Sequence, residues 1–153
     1  MDAVWFIANL AEVLVERGDF SLLRMHTPAG DQPPLHVHAY EHESFYVLEG
    51  SLTLWVGTSE PVVLGPGDCA TAPPGIPHTY RVGDEPGVFL VASSPGAFAA
   101  FVRAAGRPAE RLSLPVVDGP PDAELLARTA ADYGITLLGP PGMLPAELVA
   151  AAA

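Results

Sequence analysis

The sequence contains no lysine, one cysteine and no apolar run long enough to cross a membrane. A membrane-spanning helix needs roughly 18 or more consecutive apolar residues, so no membrane partner or membrane insertion is expected. The single cysteine, Cys69, cannot form an internal disulfide, which fits a reducing compartment. The first residues carry Asp2 where a secretory signal has a basic region, and Asn9 and Glu12 interrupt the apolar stretch. We therefore expect a soluble, cytoplasmic protein.

Positive charge is also scarce. All seven basic residues are arginines, against 18 acidic residues, and the formal net charge is −11. Nucleic acids and anionic membranes are bound by clustered basic side chains, and this chain has no basic stripe. The composition therefore argues against a nucleic acid partner and favours a small neutral or apolar ligand. With 49% hydrophobic residues, the 153-residue chain is suited to a single domain with a buried core.

From about residue 3 to residue 93 the sequence alternates short strand-forming segments with turns. The first segment, residues 4–16, is rich in strand formers and ends at a turn signal, RGD. The segments ESFYVLEG and SLTLWVG meet at Glu49-Gly50, a hairpin signal. Many short strands separated by glycine and proline turns are typical of an all-β sandwich or barrel.

The last third of the sequence changes in character. Capping residues and apolar spacing predict one helix over residues 94–106 and another over residues 122–134. The GPPGMLP segment and the terminal AAA are expected to form a loosely ordered end. We predict one domain, in which a β-barrel over residues 1–94 carries a helical extension, residues 95–153, packed on it.

Residues 36–43 read HVHAYEHE, which places three of the five histidines of the chain beside two glutamates. Residues two apart on a strand face the same way, so His36 and His38 can present two imidazoles to one point. A chain reversal after His38 can bring Glu43 back beside it, and the rigid turn APPGIPH delivers His78 to another strand. Three imidazoles and a carboxylate suit a divalent first-row metal and leave coordination positions free.

This arrangement resembles the two motifs of the cupin family. The first, G-x5-H-x-H-x4-E-x6-G, is matched by Gly30, His36, His38, Glu43 and Gly50. The second, G-x5-P-x-G-x2-H-x3-N, is matched by Gly67, Pro73, Gly75 and His78. Val82 stands where the pattern has Asn, a position that is not a metal ligand in the family, so the departure concerns a local hydrogen bond. The resemblance implies an antiparallel jelly-roll barrel that holds a metal inside, bound by His36, His38, Glu43 and His78.

The resemblance also sets the register within HVHAYEHE. Glu43 takes the ligand position, whereas Glu41 and His42 lie outside it. We interpret His42 as a solvated turn residue, with a place behind the ligands or at the pocket mouth as the alternative. His26 is interpreted as a structural histidine. The identity of the metal stays open, because Fe, Mn, Ni, Co, Cu and Zn all accept this set of ligands.

Alternation along the strands predicts the residues beside the metal. Phe45 and Val47 face the same side as Glu43, and Tyr80 and Val82 face the same side as His78. These residues predict an apolar pocket with one phenol, suited to a flat organic ligand. The alternative is that these residues fill the core, because a small barrel leaves little empty volume. For Phe45 and Val47 the two interpretations have equal weight.

Within the cupin family, the sequence is similar to the single-domain quercetin dioxygenase-like members. The similarity lies in the WF near the start, the FYVLEG run, the SPGAF segment and the YGI…LGPP ending. It implies a homodimeric enzyme that uses O2 on a flavonol-like or enolised aromatic molecule, with Glu43 as both ligand and base. Two alternatives share every motif: a non-redox cyclase or isomerase of secondary metabolism that uses the metal as a Lewis acid, and a small-molecule-binding protein without turnover.

Overall fold

Two antiparallel β-sheets and three helices make up residues 1–152, the part of the chain that the computed structural model describes. The strands are β1 (Ala3–Phe6), β2 (Asn9–Glu16), β3 (Ser21–Thr27), β4 (Leu35–His38), β5 (His42–Glu49), β6 (Leu52–Val56), β7 (Val62–Leu64), β8 (Cys69–Ala72), β9 (His78–Val82), β10 (Gly87–Ser94), β11 (Arg107–Pro108) and β12 (Ile135–Gly139). The helices are α1 (Ala97–Ala105), α2 (Ala123–Ala131) and α3 (Pro145–Ala152).

The larger sheet has the strand order β11-β1-β2-β3-β10-β5-β8, and the smaller one has the order β12-β4-β9-β6-β7. Every strand pairing is antiparallel, for example β10 with both β3 and β5. The sheets do not close into a continuous hydrogen-bonded ring, but their arrangement is that of a jelly roll. The predicted all-β antiparallel fold is confirmed.

The space between the sheets is filled by alternate residues of the strands. Every second residue of β3 and β10 is buried, as strand geometry requires when one face of a sheet is covered. Phe45, Leu52, Tyr80 and Phe89 belong to one core cluster that joins both sheets. Removal of apolar surface from water, worth about 25 cal/mol per Å², is the main contribution that holds the sheets face to face.

The first predicted segment, residues 4–16, belongs to two strands instead of one. β1 and β2 pair as a hairpin across the two-residue turn Ile7-Ala8, where Ile7 has a φ of 57°. A left-handed backbone is rare for a β-branched residue, and neither residue is a turn former. The sequence therefore carries no signal for this turn. The hairpin places residues 6–9 on the wall of an internal cavity.

Helices α1 and α2 pack on the sheets, as predicted. Phe98, Phe101 and Leu126 lie in the same core cluster as the strand residues. Helix α1 begins after Gly96, later than predicted, because Ser94 is still paired with β5 as the last residue of β10. Among the helices of residues 1–152, none is long and apolar enough to span a membrane.

The end of the chain is more regular than predicted. β12 pairs with β4, so the C-terminal third adds a strand to the smaller sheet. The tail that was expected to be loosely ordered forms α3, whose alanines have high helix propensity. The last residue of the predicted extension, Ala153, lies outside the described residues. The boundary at residue 94 between barrel and extension stays a prediction.

Candidate metal centre

Three histidines converge on neighbouring strands of the smaller sheet. His36 and His38 lie two residues apart on β4, and His78 begins β9 directly opposite His36. The ring centroids of His36 and His78 are 4.4 Å apart, and those of His36 and His38 are 5.2 Å apart. The side chains thus share one side of the sheet, as strand alternation predicts.

Glu43 reaches these histidines from the larger sheet, where it is the second residue of β5. Its Oε2 atom lies 2.8 Å from Nε2 of His78, 2.9 Å from Nε2 of His38 and 3.9 Å from Nε2 of His36. All four side chains are buried, and their possible ligand atoms lie within 4.8 Å of one another. The centre therefore sits between the two sheets, inside the fold.

The outer nitrogen of each ring is held by a hydrogen bond. Nδ1 of His36 donates to the carbonyl of Pro34 at 2.7 Å, and Nδ1 of His78 donates to the carbonyl of Ile76 at 3.1 Å. Nδ1 of His38 lies 3.2 Å from a carboxylate oxygen of Glu41. Because carbonyl and carboxylate oxygens only accept hydrogen bonds, Nδ1 carries the proton in each ring, and Nε2 is the nitrogen turned towards the centre.

Two motif glycines hold the backbone around these ligands. The N–H of Gly75 donates to the carbonyl of His38 at 2.8 Å, which ties the turn before β9 to β4. Gly50 joins β5 to β6 with a φ of +75°, and a Cβ there would lie 2.8 Å from the carbonyl oxygen of Pro86. Glycine at this turn is required by both the dihedral angle and the available space.

The electrostatics of the centre favour a cation. Burial by itself would raise the pKa of Glu43, but the charge of His38 and the contacts with the three imidazoles hold it well below its usual value. Burial disfavours the charged form of His38, yet the carboxylates of Glu43 and Glu41 raise its pKa to about 10. The pKa of His36 is lowered, chiefly because the ring is buried.

The donor set fits a divalent transition metal. Nε2 of His38 is buried and makes no hydrogen bond, although Glu43 Oε2 is only 2.9 Å away. A buried polar atom without a partner is unfavourable, and a metal ion supplies one. Three imidazole nitrogens with fixed tautomers and one carboxylate form a set that divalent first-row metals accept. A metal ion bound at the centre would replace the proton that these ligand atoms can otherwise bind.

Glu41 supports the centre from behind, and sequence reasoning had left it without a role. It is only 3% exposed; one carboxylate oxygen accepts from His38, and the other accepts from the backbone N–H of Phe98 at 3.0 Å. Phe98 lies in the first turn of α1, where backbone N–H groups have no partner within the helix. Glu41 therefore joins His38 to the start of α1. No motif position marks Glu41, because its contact with α1 exists only in the folded chain.

We expect Glu41→Gln to weaken metal binding by about 10–100-fold. An amide offers one acceptor oxygen, whereas the N–H groups of His38 and Phe98 both need one, so one donor is left unpaired. Affinity would be measured by competition with a chromophoric chelator. Glu49→Gln, an exposed position on β5, is the matched control. Equal affinity of Glu41→Gln and the wild type would contradict the supporting role.

The two other histidines lie away from the centre. His42 is exposed, as expected for a solvated residue, but it is the first residue of β5 and does not lie in a turn. His26 is half-buried and lies next to Met25, which lines the cavity, so strand alternation turns His26 to the outer face of β3. Its Nε2 is 2.6 Å from a carboxylate oxygen of Glu12, a pairing that fits a structural histidine.

A cavity of about 820 Å³ opens beside the centre and is lined in part by His36, His38 and Glu43. Of the predicted pocket residues, Phe45 and Tyr80 lie on its wall. Val47 and Val82 are buried in the core cluster and are not among the residues of the cavity wall within the described chain. Burial, together with the negative charges of Asp31 and Glu43, raises the pKa of Tyr80 well above its usual value, so the side chain stays a neutral phenol.

Much of the cavity wall comes from the C-terminal third of the chain. Leu126 on α2 and Ile135 and Leu137 on β12 contribute apolar side chains, and two Gly-Pro-Pro stretches, 119–121 and 139–141, lie on the same wall. The sequence predicted helices packed on the barrel but gave no indication that they enclose the pocket. A volume of about 820 Å³ falls within the usual range of small-molecule sites.

A domain model described as "Cupin domain" matches residues 23–93, which include all four residues of the centre. The protein contains a cupin domain. Its jelly-roll fold and its two motifs agree with this assignment.

This cupin is similar to the quercetin 2,3-dioxygenase of Bacillus subtilis (strain 168), with 36% identity over 93 residues, which are 61% of this chain and 27% of that protein. The chain thus spans about a quarter of the length of this relative. A conserved protein with a double-stranded β-helix domain from Klebsiella pneumoniae subsp. pneumoniae MGH 78578 superposes with a TM-score of 0.52 at 27% identity, over 67% of this chain and 80% of that one. The protein TT1209 from Thermus thermophilus gives a TM-score of 0.53 at 28% identity, over 57% of this chain and 83% of that one.

Proposed function

We propose that this cupin is a metal-dependent dioxygenase that acts on a flavonol-like or enolised aromatic molecule. The observation that carries the proposal is the position of three histidines and a glutamate on the wall of a largely apolar cavity of about 820 Å³. The resemblance to the Bacillus subtilis quercetin 2,3-dioxygenase supports the substrate class. The proposed enzyme is cytoplasmic and works as a homodimer. Sedimentation equilibrium measures its oligomeric state.

In this proposal His36, His38, Glu43 and His78 hold one divalent metal. When bound, a redox-active metal supplies a site at which an enolised substrate and O2 meet and exchange electrons. The three Nδ1 hydrogen bonds keep the imidazoles in the orientation that ligation needs. Their role is therefore to fix the geometry before substrate enters.

Glu43 is the proposed catalytic base. Its Oε2 atom faces the centre from the sheet opposite the histidines, so it can accept the proton of a substrate hydroxyl that reaches the metal. A carboxylate whose pKa is held low is a weak base, and the transfer depends on acidification of that hydroxyl at the centre. The proton stays close to the reacting atoms because Glu43 is only 3% exposed.

The wall of the cavity orients the substrate and excludes water. Phe45 and Phe98 contribute flat apolar surfaces next to the centre, with ring centroids 6.4 Å from His78 and 6.0 Å from His38, respectively. An aromatic substrate is held there by burial and by edge or offset contacts between rings. Exclusion of water strengthens the electrostatic interactions at the centre and protects reactive species from side reactions.

The test is oxygen uptake by protein purified without added metal, with its metal content measured in the same sample. We expect quercetin to start oxygen consumption in proportion to bound Fe, Mn, Ni, Co or Cu, and protein stripped of metal to consume none. Product formation from a substrate without oxygen consumption, with zinc as the bound metal, would instead support the Lewis-acid cyclase or isomerase. Ligand binding without any product would support a binding protein.

A further inference from the structure

The cavity has a second polar region besides the metal centre. The chain contains a single asparagine, Asn9, and a single glutamine, Gln32, and both side chains lie on the cavity wall together with Asp31. Asn9 is the first residue of β2 after the Ile7-Ala8 turn, and Gln32 lies in the loop before β4. We call Asn9, Asp31 and Gln32 the distal polar patch.

Two atoms of the distal polar patch lack partners. Asn9 is 4% exposed, and its Oδ1 atom is buried and accepts no hydrogen bond. Nε2 of Gln32 is likewise buried and donates none. Within residues 1–152 only five buried side-chain polar atoms are unpartnered, and three of them belong to residues of the cavity wall: Asn9, Gln32 and His38. Because a buried unpaired polar group is unfavourable, their concentration around one cavity indicates a ligand that pairs with them.

Asp31 explains how Asn9 is positioned. Burial raises the pKa of Asp31, and a hydrogen bond from the Asn9 side chain opposes this shift, as does one from the backbone N–H of Gln32. Because a carboxylate only accepts hydrogen bonds, the amide nitrogen of Asn9 is the atom that faces Asp31, and Oδ1 is left without a donor. Tyr80 lines the same cavity, and burial together with the negative charges of Asp31 and Glu43 raises the pKa of its phenol.

The charge of the wall restricts the ligand. No lysine or arginine lies among the described residues that line the cavity, whereas Asp31 and Glu43 do. A carboxylate or phosphate bound at the distal polar patch would lie beside Asp31 without a basic side chain of the patch to compensate it, which is unfavourable in a buried site. A neutral group that both donates and accepts a hydrogen bond matches Gln32 Nε2 and Asn9 Oδ1.

We propose that the distal polar patch binds a neutral hydroxyl group at one end of an aromatic substrate whose other end reaches the metal centre. The hydroxyl donates to Oδ1 of Asn9 and accepts from Nε2 of Gln32. The substrate class is thus an uncharged, hydroxylated aromatic molecule. This inference rests on the proposed function for the nature of the ligand, but it concerns binding and not the reaction.

The experiment compares equilibrium binding of quercetin and 3-hydroxyflavone, which has the same ring system without the outer hydroxyls. Wild-type protein is expected to prefer quercetin by about fivefold or more, since an unmatched buried polar group costs at least that factor. Asn9→Leu and, separately, Gln32→Leu are expected to reduce or abolish this preference while binding of 3-hydroxyflavone is retained. Leu23→Met is the matched control, because Leu23 is buried on β3 but is not among the described residues of the cavity wall, and the change preserves its volume and apolar character.

The outcomes separate the two proposals, because oxygen uptake is measured on the same samples. A preference for quercetin that Asn9→Leu or Gln32→Leu removes supports the distal polar patch even where no oxygen is consumed. A preference that both variants retain overturns it even where oxygen uptake is normal. Failure of the wild type to bind either flavonol, or equal affinity for the two, also overturns it. Gln32 is half-buried, so Gln32→Leu keeps the test valid if Asn9→Leu does not fold.

Discussion

Glu43→Gln is expected to lower the turnover rate per bound metal by about 10²–10⁴-fold, the usual cost of removing a general base. The amide keeps the shape of the side chain but cannot accept a proton at Oε2, the atom that faces His38 and His78 at 2.9 and 2.8 Å. Much of the metal should remain bound, because the three imidazoles keep their Nδ1 hydrogen bonds.

The measurement for Glu43→Gln is the rate of oxygen uptake divided by the metal content of each sample. This normalisation separates a lost base from a lost metal, since a modest fall in occupancy cannot produce a hundredfold change. Glu49→Gln changes the charge of the same strand at an exposed position and should leave the normalised rate unaltered. A near-native rate per metal in Glu43→Gln would show that Glu43 is a structural ligand only.

His78→Ala and His36→Ala are each expected to lower the metal content strongly while the barrel stays folded. The imidazoles come from separate strands, so losing one leaves an incomplete set of ligands. A metal present at about 1,000 times its dissociation constant stabilises the wild type by about 4 kcal/mol, and a chelator removes that stabilisation. In either variant the chelator should change the melting temperature much less than in the wild type.

Metal content by mass spectrometry and thermal unfolding with and without chelator check these two variants. His42→Ala is the control, because His42 is exposed and does not belong to the cluster. Full metal occupancy in His78→Ala or His36→Ala would show that the ligand assignment is wrong. Loss of metal in His42→Ala would instead favour a different register of HVHAYEHE.

The sequence was most informative where one residue pattern is tied to one local geometry. The two-residue spacing of His36 and His38 can only place both side chains on the same side of a strand, and the motif spacing put Glu43 and His78 with them. Strand alternation likewise identified much of the core, because each face of a strand has a fixed environment. The fold class followed from the number of short strands and their turns.

Other features were decided only by the tertiary structure, because they depend on which distant segments meet. The carboxylate of Glu41 gains its role from contact with α1, and no local pattern distinguishes it from an exposed turn residue. The cavity is enclosed by α2, β12 and the β1–β2 turn, none of which carries a signal for the site. Asn9 and Gln32 lie 23 positions apart in sequence. They share a wall only because β2, in the larger sheet, and the loop before β4, a strand of the smaller sheet, meet around the cavity. The sequence thus identified the four residues that meet at the centre, and packing determined what surrounds them.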